Sequence, residues 1–378
     1  MNAPLPLAGT LVLDASRMLP GAVLVRTLVD LGARVVKVED PHGGDPMRHT
    51  PPLAGEVGAG FAAFFRGVES VALDLKSPGG SAALRKMARH ADVLVESFRP
   101  GTLERWDLGY ERLEALNPAL VVVSLPGFGT SGEEAGRIGH DLNFTAVTGF
   151  LSELPAGDLP RVQVADVASG LLAAASTLAA LLARHRTGRG QRVVQPLVGG
   201  PLPFLAWSFA ALAAGGEGVL DGILAGKSPC YRTYRCGDGA LVALGAIEPK
   251  FWAVLCEMAG IPEHAGDGLD TGEPGAIAAA RLAVVFGSKP RPEWLALADA
   301  LGIPLTPVND VAAAREALPE HLEETALPGG GTMPTPAAFL GLPGLRRPLP
   351  AAPVLGADTS QVLRELGFTD EEIAAAAG

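Results

Sequence analysis

Cysteine is scarce in this 378-residue chain. Cys230, Cys236 and Cys256 form no Cys-x-x-Cys pair, and none has a histidine at the spacing of a metal site. A disulfide framework and a cysteine-based zinc site are therefore excluded as organising features of the fold. We expect a protein of the reducing cytoplasm, with no bound metal.

Charged residues are also few, and positive charge is in deficit. Only 19% of the residues are charged, and the formal net charge is −11. A chain with no overall positive field does not hold a polyanion such as DNA by long-range attraction. We expect no nucleic-acid partner, and any phosphate group has to be bound by local arginine or lysine side chains.

Long apolar runs are missing as well. No stretch of about 20 residues is free of polar or turn residues, and residues 1–6 contain no basic segment before an apolar one. The Ala/Leu-rich stretch 169–184 is shorter and contains Ser176 and Thr177. We interpret it as a buried helix and expect no membrane partner.

The sequence is rich in predicted strands that alternate with predicted helices. Apolar strand patterns at 10–15 and 34–39 flank a helical pattern through Leu28 and Leu31. The same alternation continues with strands and helices predicted at 71–75, 79–90, 92–96, 102–108, 120–125, 169–185 and 191–194. Strands that are apolar nearly throughout predict an α/β fold whose parallel sheet is covered on both faces. The length and the 48% hydrophobic content favour two domains.

A glycine-rich segment and the second half of the chain complete the structural prediction. No Gly-x-Gly-x-x-Gly follows the first strand, so the dinucleotide fingerprint is missing from its expected place. Residues 127–132 match that spacing after a late strand, where they are either a pocket lining or a plain turn. Strand 240–244 and helices 251–258 and 294–301 predict a smaller domain, and 360–376 an amphipathic helix.

The strongest chemical signal is a Gly-His-Asp-Leu-Asn segment at 139–143 followed by Asp166. An imidazole and a carboxylate at a common pocket exchange protons with a carbon acid from two sides. Structural alternatives stand beside this hypothesis. His140 is then a hydrogen-bonded structural residue, Asp166 a helix N-cap, and Glu248 a charge at the start of the helix near Lys250.

Eight segments of the sequence, taken in order, resemble the family III CoA-transferase superfamily. Within it they resemble the α-methylacyl-CoA racemase branch more than the formyl-CoA transferase branch. The matching segments are residues 28–33, 35–39, 70–76, 96–101, 139–144, 187–191, 248–249 and 356–359.

The resemblance implies a fold and an assembly. A Rossmann-like large domain without dinucleotide function is built from both chain ends, at 1–215 and 319–378, and a smaller α+β domain spans 225–318. Two chains form an interlocked homodimer, with the active site between the large domain of one subunit and the small domain of the other. Glu248 then lies across that interface.

The resemblance also implies an activity, which is racemisation of a 2-methyl-branched acyl-CoA thioester. His140 and Asp166 act on opposite faces of the α-carbon, through an enolate whose oxyanion accepts from a backbone N–H near Asp141. Glu248 orients His140 and favours its charged form. A transferase in which Asp166 is the nucleophile, and a non-catalytic member of the family, remain alternatives. Transferases typically lack the histidine, and this chain has both the histidine and the Glu-Pro pair that accompanies it in the racemases, so proton transfer is favoured.

No tightly bound cofactor is implied, and coenzyme A enters as part of the substrate. The resemblance assigns its nucleotide end to Arg99 and Arg105, whose alternative is a solvated helix face, with Phe98 against the adenine. Arg17 and Lys37 are weaker candidates. The chain departs from the pattern of the family at three positions. Val68 and Glu69 stand where a basic stretch usually has two cations, and Asp40 stands at a further position near the phosphates that is often Arg or Pro. We expect weak or shifted binding of coenzyme A, or a larger contribution of the acyl group to binding.

Overall fold

The computed structural model describes residues 4–216 and 219–376, except for the side chains of 219–221. The chain forms two compact units. The first runs up to Leu205 and resumes at Glu320, and the second spans Ala206–Pro319. Residues 206–215, predicted to end the large domain, group by their contacts with the second unit.

The described strands fall into one large sheet and three small ones. They are β1 (Leu11–Ala15), β2 (Arg34–Glu39), β3 (Leu53–Ala54), β4 (Val57–Gly58), β5 (Glu69–Ala72), β6 (Val93–Glu96), β7 (Val121–Ser124), β8 (Arg192–Val194), β9 (Tyr231–Arg235), β10 (Leu241–Gly245), β11 (Leu305–Pro307), β12 (Leu322–Ala326) and β13 (Thr332–Pro336). The large sheet has the order β5-β2-β1-β6-β7-β8, and all five pairings are parallel. The predicted α/β class with a parallel sheet is confirmed.

Helices connect these strands. They are α1 (Met18–Asp30), α2 (Ala59–Phe64), α3 (Pro78–Ala88), α4 (Thr102–Arg105), α5 (Tyr110–Leu116), α6 (Asp141–Val147), α7 (Val164–Thr187), α8 (Ala206–Ala213), α9 (Val219–Leu224), α10 (Pro249–Ala259), α11 (Glu273–Phe286), α12 (Arg291–Leu301), α13 (Val311–Ala317), α14 (Thr359–Glu365) and α15 (Asp370–Ala376). Short 3₁₀ turns lie at Pro46–His49, Phe150–Glu153, Leu197–Gly199, Leu202–Leu205, Pro262–His264 and Pro319–His321.

Two hydrophobic cores lie on the two faces of the large sheet. Val12 of β1 and Val35 of β2 belong to one core, and their neighbours Leu13 and Val36 belong to the other. Successive side chains of a strand point to opposite faces, so a sheet covered on both faces needs apolar residues at every position. This explains why the strands are apolar runs and not alternating patterns.

Helix α7 packs lengthwise against α1 in the first core. A side chain at Gly170 would bring its Cβ within 2.6 Å of the Pro20 carbonyl oxygen and 2.7 Å of Val23 Cβ. Only glycine permits this approach of the two helices. Among the described residues, α7 alone is long and apolar enough to cross a membrane, and its packing on α1 supports the interpretation of a helix inside the unit.

The chain end returns to the first unit. Arg66 donates hydrogen bonds to Glu323 of β12 and Thr335 of β13. Helix α14 packs on β5 and α15 on α3. The single amphipathic helix predicted over 360–376 is wrong, because the chain breaks between α14 and α15 at Gly367, whose φ is +80°.

The second unit contains an antiparallel sheet of order β11-β10-β9. Its core includes Trp252, Leu282 and Phe286 from α10 and α11, packed against Tyr234 and Val242 of the sheet. The strand and helices predicted between 240 and 301 correspond to β10, α10 and α12. The interlocked homodimer stays a prediction.

Candidate active site

His140 is the residue immediately before α6. Its backbone N–H donates to Asn143 Oδ1 at 3.0 Å, so an amide side chain holds the turn that presents the imidazole. Gly139 precedes it in a crowded place, since a Cβ there would meet Phe128 Cε2 at 3.0 Å and Phe144 Cε1 at 3.1 Å. The His140 side chain itself is exposed in the single chain.

Asp141 joins the histidine segment to Asp166. Its carboxylate Oδ1 accepts a hydrogen bond of 2.9 Å from the backbone N–H of Asp166. The first N–H groups of a helix have no partner within the helix, and Asp166 lies in the first turn of α7. Satisfying that donor ties the start of α7 to the start of α6, and it places Asp141, the residue after His140, against the backbone of Asp166.

The Asp166 carboxyl group is in an environment that disfavours its charge. Burial, assisted by the nearby charge of Asp141, raises the pKa of Asp166 to about 7. No hydrogen bond from the described residues reaches its carboxylate, and the N-cap of α7 is Gln163. The N-cap alternative for Asp166 is therefore wrong, and a carboxyl group poised near neutral pH remains.

The Gly-rich loop after β7 has a packing role. Phe128 meets Phe144 of α6 edge to face, with ring centroids 5.2 Å apart. A Cβ at Gly127 would lie 3.2 Å from Phe144 Cζ. The loop therefore packs against α6 through Phe144. Further along the loop, Thr130 and Ser131 line a cleft.

Glu248 lies in the second unit, at the N-cap position of α10. It is exposed, and its side chain makes no capping hydrogen bond. Its carboxylate is therefore available to another group. Its predicted contact with His140 across a subunit interface stays a prediction.

A cleft opens at the carboxyl ends of β1, β2, β5 and β6. In an open parallel sheet this edge is where ligands bind. The cleft is lined by Ala15, Ser16, Arg17, Lys37, Val38, Glu39, Asp40, Gly44, Asp45, Leu73, Asp74, Leu75, Lys76, Phe98 and Trp106.

Phe98 and Arg17, both predicted from the sequence, meet at this cleft. The guanidinium carbon of Arg17 lies 5.8 Å from the centroid of the Phe98 ring, and Trp106 meets that ring edge to face at 5.0 Å. Arg17 is exposed and forms no ion pair with the described residues. An aromatic wall beside a free cation suits a nucleotide base and its phosphate.

Lys37 does not fit its predicted contact with coenzyme A. Its ammonium donates to Asp14 at 3.1 Å and to the Ser16 carbonyl at 3.1 Å, and it pairs with Asp45 at 3.0 Å. Burial opposes its charge, but the aspartates outweigh burial and raise the pKa of Lys37. Because an ammonium group has three donors, none is left for a phosphate. Lys37 is a structural ion beneath the cleft.

Arg99 and Arg105 are exposed and lie near the same edge of the sheet. Arg99 lines a second cleft at the ends of β6 and β7, and Arg105 donates to Thr102 Oγ1 at 2.9 Å. Neither forms an ion pair with the described residues, so both remain available to an anion.

The second cleft contains two residues that sequence reasoning missed, Glu96 and Arg192. Glu96 ends β6 and is 6% exposed, and burial raises its pKa. Its Oε2 accepts from the Phe98 N–H at 2.8 Å. A carboxylate at the end of an apolar strand was the signal that could have found it, because that position lies at the ligand-binding edge.

The three residues that depart from the family pattern lie in different environments in the structure. Val68 is buried, and Glu69 pairs with Arg34 at 2.6 Å. Asp40 instead lines the first cleft, with Lys76 Nζ 3.7 Å from its Oδ2. Among the described residues, no group of three His, Cys, Asp or Glu side chains is arranged to hold a metal ion.

Comparison with known protein families identifies the family of this chain. The sequence profile of CoA-transferase family III matches residues 7–359. The chain belongs to CoA-transferase family III. The resemblance drawn from its sequence segments is thereby confirmed.

Family III relatives include enzymes of two activities. Human alpha-methylacyl-CoA racemase is 33% identical over 388 residues, covering 97% of this chain and 95% of the relative. Acetyl-CoA:oxalate CoA-transferase of Acetobacter aceti is 31% identical, covering 95% of each. Family III enzymes act on CoA thioesters as racemases or as CoA-transferases, and both groups are close to this chain.

Solved structures of the family have the same fold. A CAIB/BAIF family protein from Brucella suis superposes with a TM-score of 0.80 at 28% identity, covering 96% of this chain and all of that one. A hypothetical protein from Mycobacterium tuberculosis gives 0.81 at 27% identity, with coverage of 96% and 100%. The mixed α/β architecture is therefore that of the family.

Proposed function

We propose that this protein is an acyl-CoA racemase or epimerase that inverts the α-carbon of a 2-methyl-branched acyl-CoA thioester. One base removes the α-proton from one face, and the conjugate acid of a second group returns a proton to the opposite face. His140 and Asp166 are the two groups. The proposal is carried by the Asp166 carboxyl group, which has a pKa of about 7 and lies beside the histidine segment.

A pKa near the working pH suits Asp166 to both halves of this reaction. At neutral pH similar fractions of the group are protonated and ionised, so it serves as acid in one direction and as base in the other. An ordinary surface aspartate has a pKa near 4 and is almost entirely ionised at pH 7. Burial at the start of α7 is thus the feature that adapts Asp166 to proton transfer.

The enolate intermediate needs a donor for its oxygen. The N–H of Asp141 lies at the start of α6, where helix N–H groups have no partner within the helix. We assign it to the thioester oxygen, as its place next to His140 favours. Glu248 of the partner subunit orients the imidazole in the proposed interlocked homodimer, and its free carboxylate supports that role.

Coenzyme A is the activating group of the substrate and not a resident cofactor. We assign its nucleotide end to the surface around Arg17 and Phe98, with Arg99 and Arg105 available to its phosphates. We place the reaction in the cytoplasm, since the three cysteines are free and buried.

A family III CoA-transferase is the second candidate, supported by relatives that are about 31% identical. In that reaction the Asp166 carboxylate attacks the thioester, releasing CoA as a thiolate and forming a mixed anhydride. Attack requires the ionised carboxylate, and burial reduces that form at neutral pH. This consideration favours proton transfer.

Exchange of the α-proton separates the candidates. A 2-methylacyl-CoA thioester incubated with the protein in deuterated water should gain deuterium at the α-carbon without a free acid acceptor. His140→Gln and Asp166→Asn should each slow inversion by about 10²- to 10⁴-fold. Asp158→Asn, an exposed carboxylate outside the site, is the control and should not change the rate.

Each contrary result supports a different reading. Absence of exchange at saturating thioester rules out the racemase. A hydroxylamine-trapped adduct on Asp166, together with dependence on a carboxylic acid acceptor, establishes the transferase. Calorimetry that detects no binding of any CoA thioester establishes a non-catalytic member of the family.

A further inference from the structure

Met18, the first residue of α1, has a left-handed backbone conformation. Its φ is +64°, and in the described parts of the chain Asp107 is the only other non-glycine residue with a positive φ. A residue with a Cβ is unfavourable in this conformation, which persists only where the surroundings hold it. Such strain concentrates at functional sites. The start of α1 is therefore a place where the fold tolerates strain.

Groups on two sides hold the Met18 backbone. Asp45, which is 2% exposed, accepts from the Met18 N–H at 3.2 Å through Oδ2, and the same oxygen lies 3.0 Å from the ammonium of Lys37. The preceding N–H, that of Arg17, donates to Ser97 Oγ at 2.9 Å. The strained turn is thus fixed by a buried ion pair on one side and by the residue after β6 on the other.

Met18 lies at the same edge of the sheet as Asp166. Helix α1 follows β1 and α7 precedes β8 in a sheet whose pairings are all parallel, so both helices run opposite to the strands and begin at the carboxyl edge. They meet where Gly170 approaches the Pro20 carbonyl. Asp166 stands one turn before Gly170 on the same face of α7, and Met18 stands two residues before Pro20. Both residues therefore extend from this helix contact towards the carboxyl edge.

The Met18 side chain is open to solvent although its helix is buried. Residues 20–30 of α1 are all buried, whereas Met18 is 39% exposed. Strain that keeps an apolar side chain exposed adds nothing to the stability of the single chain. It does provide an apolar group at the edge where Asp166 lies. The unbranched, polarisable side chain of methionine adapts well to an apolar part of a ligand.

We propose that Met18 is a specificity-determining residue, whose side chain forms the apolar surface against which the α-substituent of the acyl group packs. This role rests on the proposed function and specifies which residue of that site recognises the 2-methyl branch. The α-carbon has to lie at Asp166 for proton transfer, so its substituent reaches the neighbouring start of α1. A methyl group fills the space in front of the thioether, a hydrogen atom leaves it empty, and an ethyl group is too large.

Deuterium exchange with three thioesters of equal chain length tests this role. They carry hydrogen, methyl or ethyl as the α-substituent, and kcat/KM for exchange is measured with each. The wild-type protein should prefer the methyl compound to either of the others by about 10-fold, the effect of one methyl or methylene group in an apolar contact. Met18→Ala should remove the preference over hydrogen and reverse the preference over ethyl, because it opens the space that the larger branch needs.

Met18→Gly separates recognition from folding. Glycine adopts a φ of +64° without strain, so this variant should be at least as stable towards urea as the wild type. It should nevertheless lose the preference for the methyl compound, as Met18→Ala does. Val311→Ala is the matched control, since Val311 is also the first residue of a helix and is 88% exposed. It should leave the ratios of the three rates unchanged.

A wild-type protein without the preference, or a preference that survives in both Met18 variants, would overturn the role of Met18. An equal loss of exchange with all three thioesters would overturn it as well, because it indicates a purely structural residue. Exchange by the wild-type protein together with any of these results leaves the racemase standing. Absence of exchange by the wild-type protein with every thioester removes the racemase and the role of Met18 together.

Discussion

Replacing Asp166 by asparagine should stabilise the folded protein while abolishing its activity. Asparagine has nearly the same shape but cannot ionise, so the variant avoids placing a charge in a partly buried position. The stabilisation should depend on pH in a manner set by the two pKa values of Asp166. These are about 7 in the folded chain and about 3.8 in the unfolded chain.

The direction in which stability changes with pH follows from proton linkage. A raised folded-state pKa means that the folded chain binds more protons than the unfolded chain between pH 3.8 and 7, so stability falls as pH rises through that window. Linkage with these pKa values gives a cost of about 1.5 kcal/mol at pH 5 and about 4 kcal/mol at pH 8. The dipole of α7 favours the ionised form by about 0.3–1 kcal/mol, which reduces the cost.

Urea unfolding at fixed protein concentration measures this difference. We expect Asp166→Asn to be more stable than the wild type by about 1–3 kcal/mol at pH 8, with a smaller gain at pH 5. Asp141→Asn should shrink the pH dependence, because it removes the second cause of the raised pKa. Asp158→Asn should have no effect at either pH. An equal gain in stability at both pH values would refute the conclusion that burial raises the pKa of Asp166.

Three further predictions concern the site and its support. In the reaction direction in which Asp166 removes the proton, kcat/KM should rise as pH passes about 7, and in the opposite direction it should fall, as pH profiles with each enantiomer would reveal. Lys37→Met should lower the free energy of unfolding by about 3–5 kcal/mol in urea, because it leaves Asp14 and Asp45 buried without their cation. Gly170→Ala should lower it by about 1–3 kcal/mol, since the added Cβ overlaps α1.

Matched control variants and contrary outcomes test these three predictions. Gly136→Ala adds a Cβ with no heavy atom within 4 Å, so a comparable loss there would show that overlap with α1 is not the cause. Lys289→Met removes an ammonium that is 44% exposed and should cost little. Parallel pH profiles for the two enantiomers would contradict opposite roles of Asp166.

Local patterns in the sequence were sufficient for most of the large sheet. The predicted strand at 34–39 has the same bounds as β2, and the strands predicted at 10–15 and 92–96 each begin one residue before β1 and β6. Runs of apolar residues bounded by turn signals carry this information locally. The break at Gly367 was missed because an amphipathic pattern continues across it, and only the positive φ reveals the turn.

The site was predictable as a set of residue types and not as an arrangement. His140 and Asp166 stand out in the sequence as a base and an acid, but the hydrogen bond from the Asp166 N–H to Asp141 depends on how α6 and α7 meet. Lys37 looked like a phosphate ligand because its charge was visible and its burial was not.

The sequence by itself determined the α/β class, the family and the presence of an imidazole and a carboxyl group suited to proton transfer. Periodicity and residue type are local properties, so they can be read without coordinates. The tertiary structure alone decided which charges are free. It buried Lys37 among three acceptors, left Arg17 open at a cleft, and raised the pKa of Asp166 to about 7. Burial and pairing depend on segments far apart in the chain, and these set the free energy of a charge.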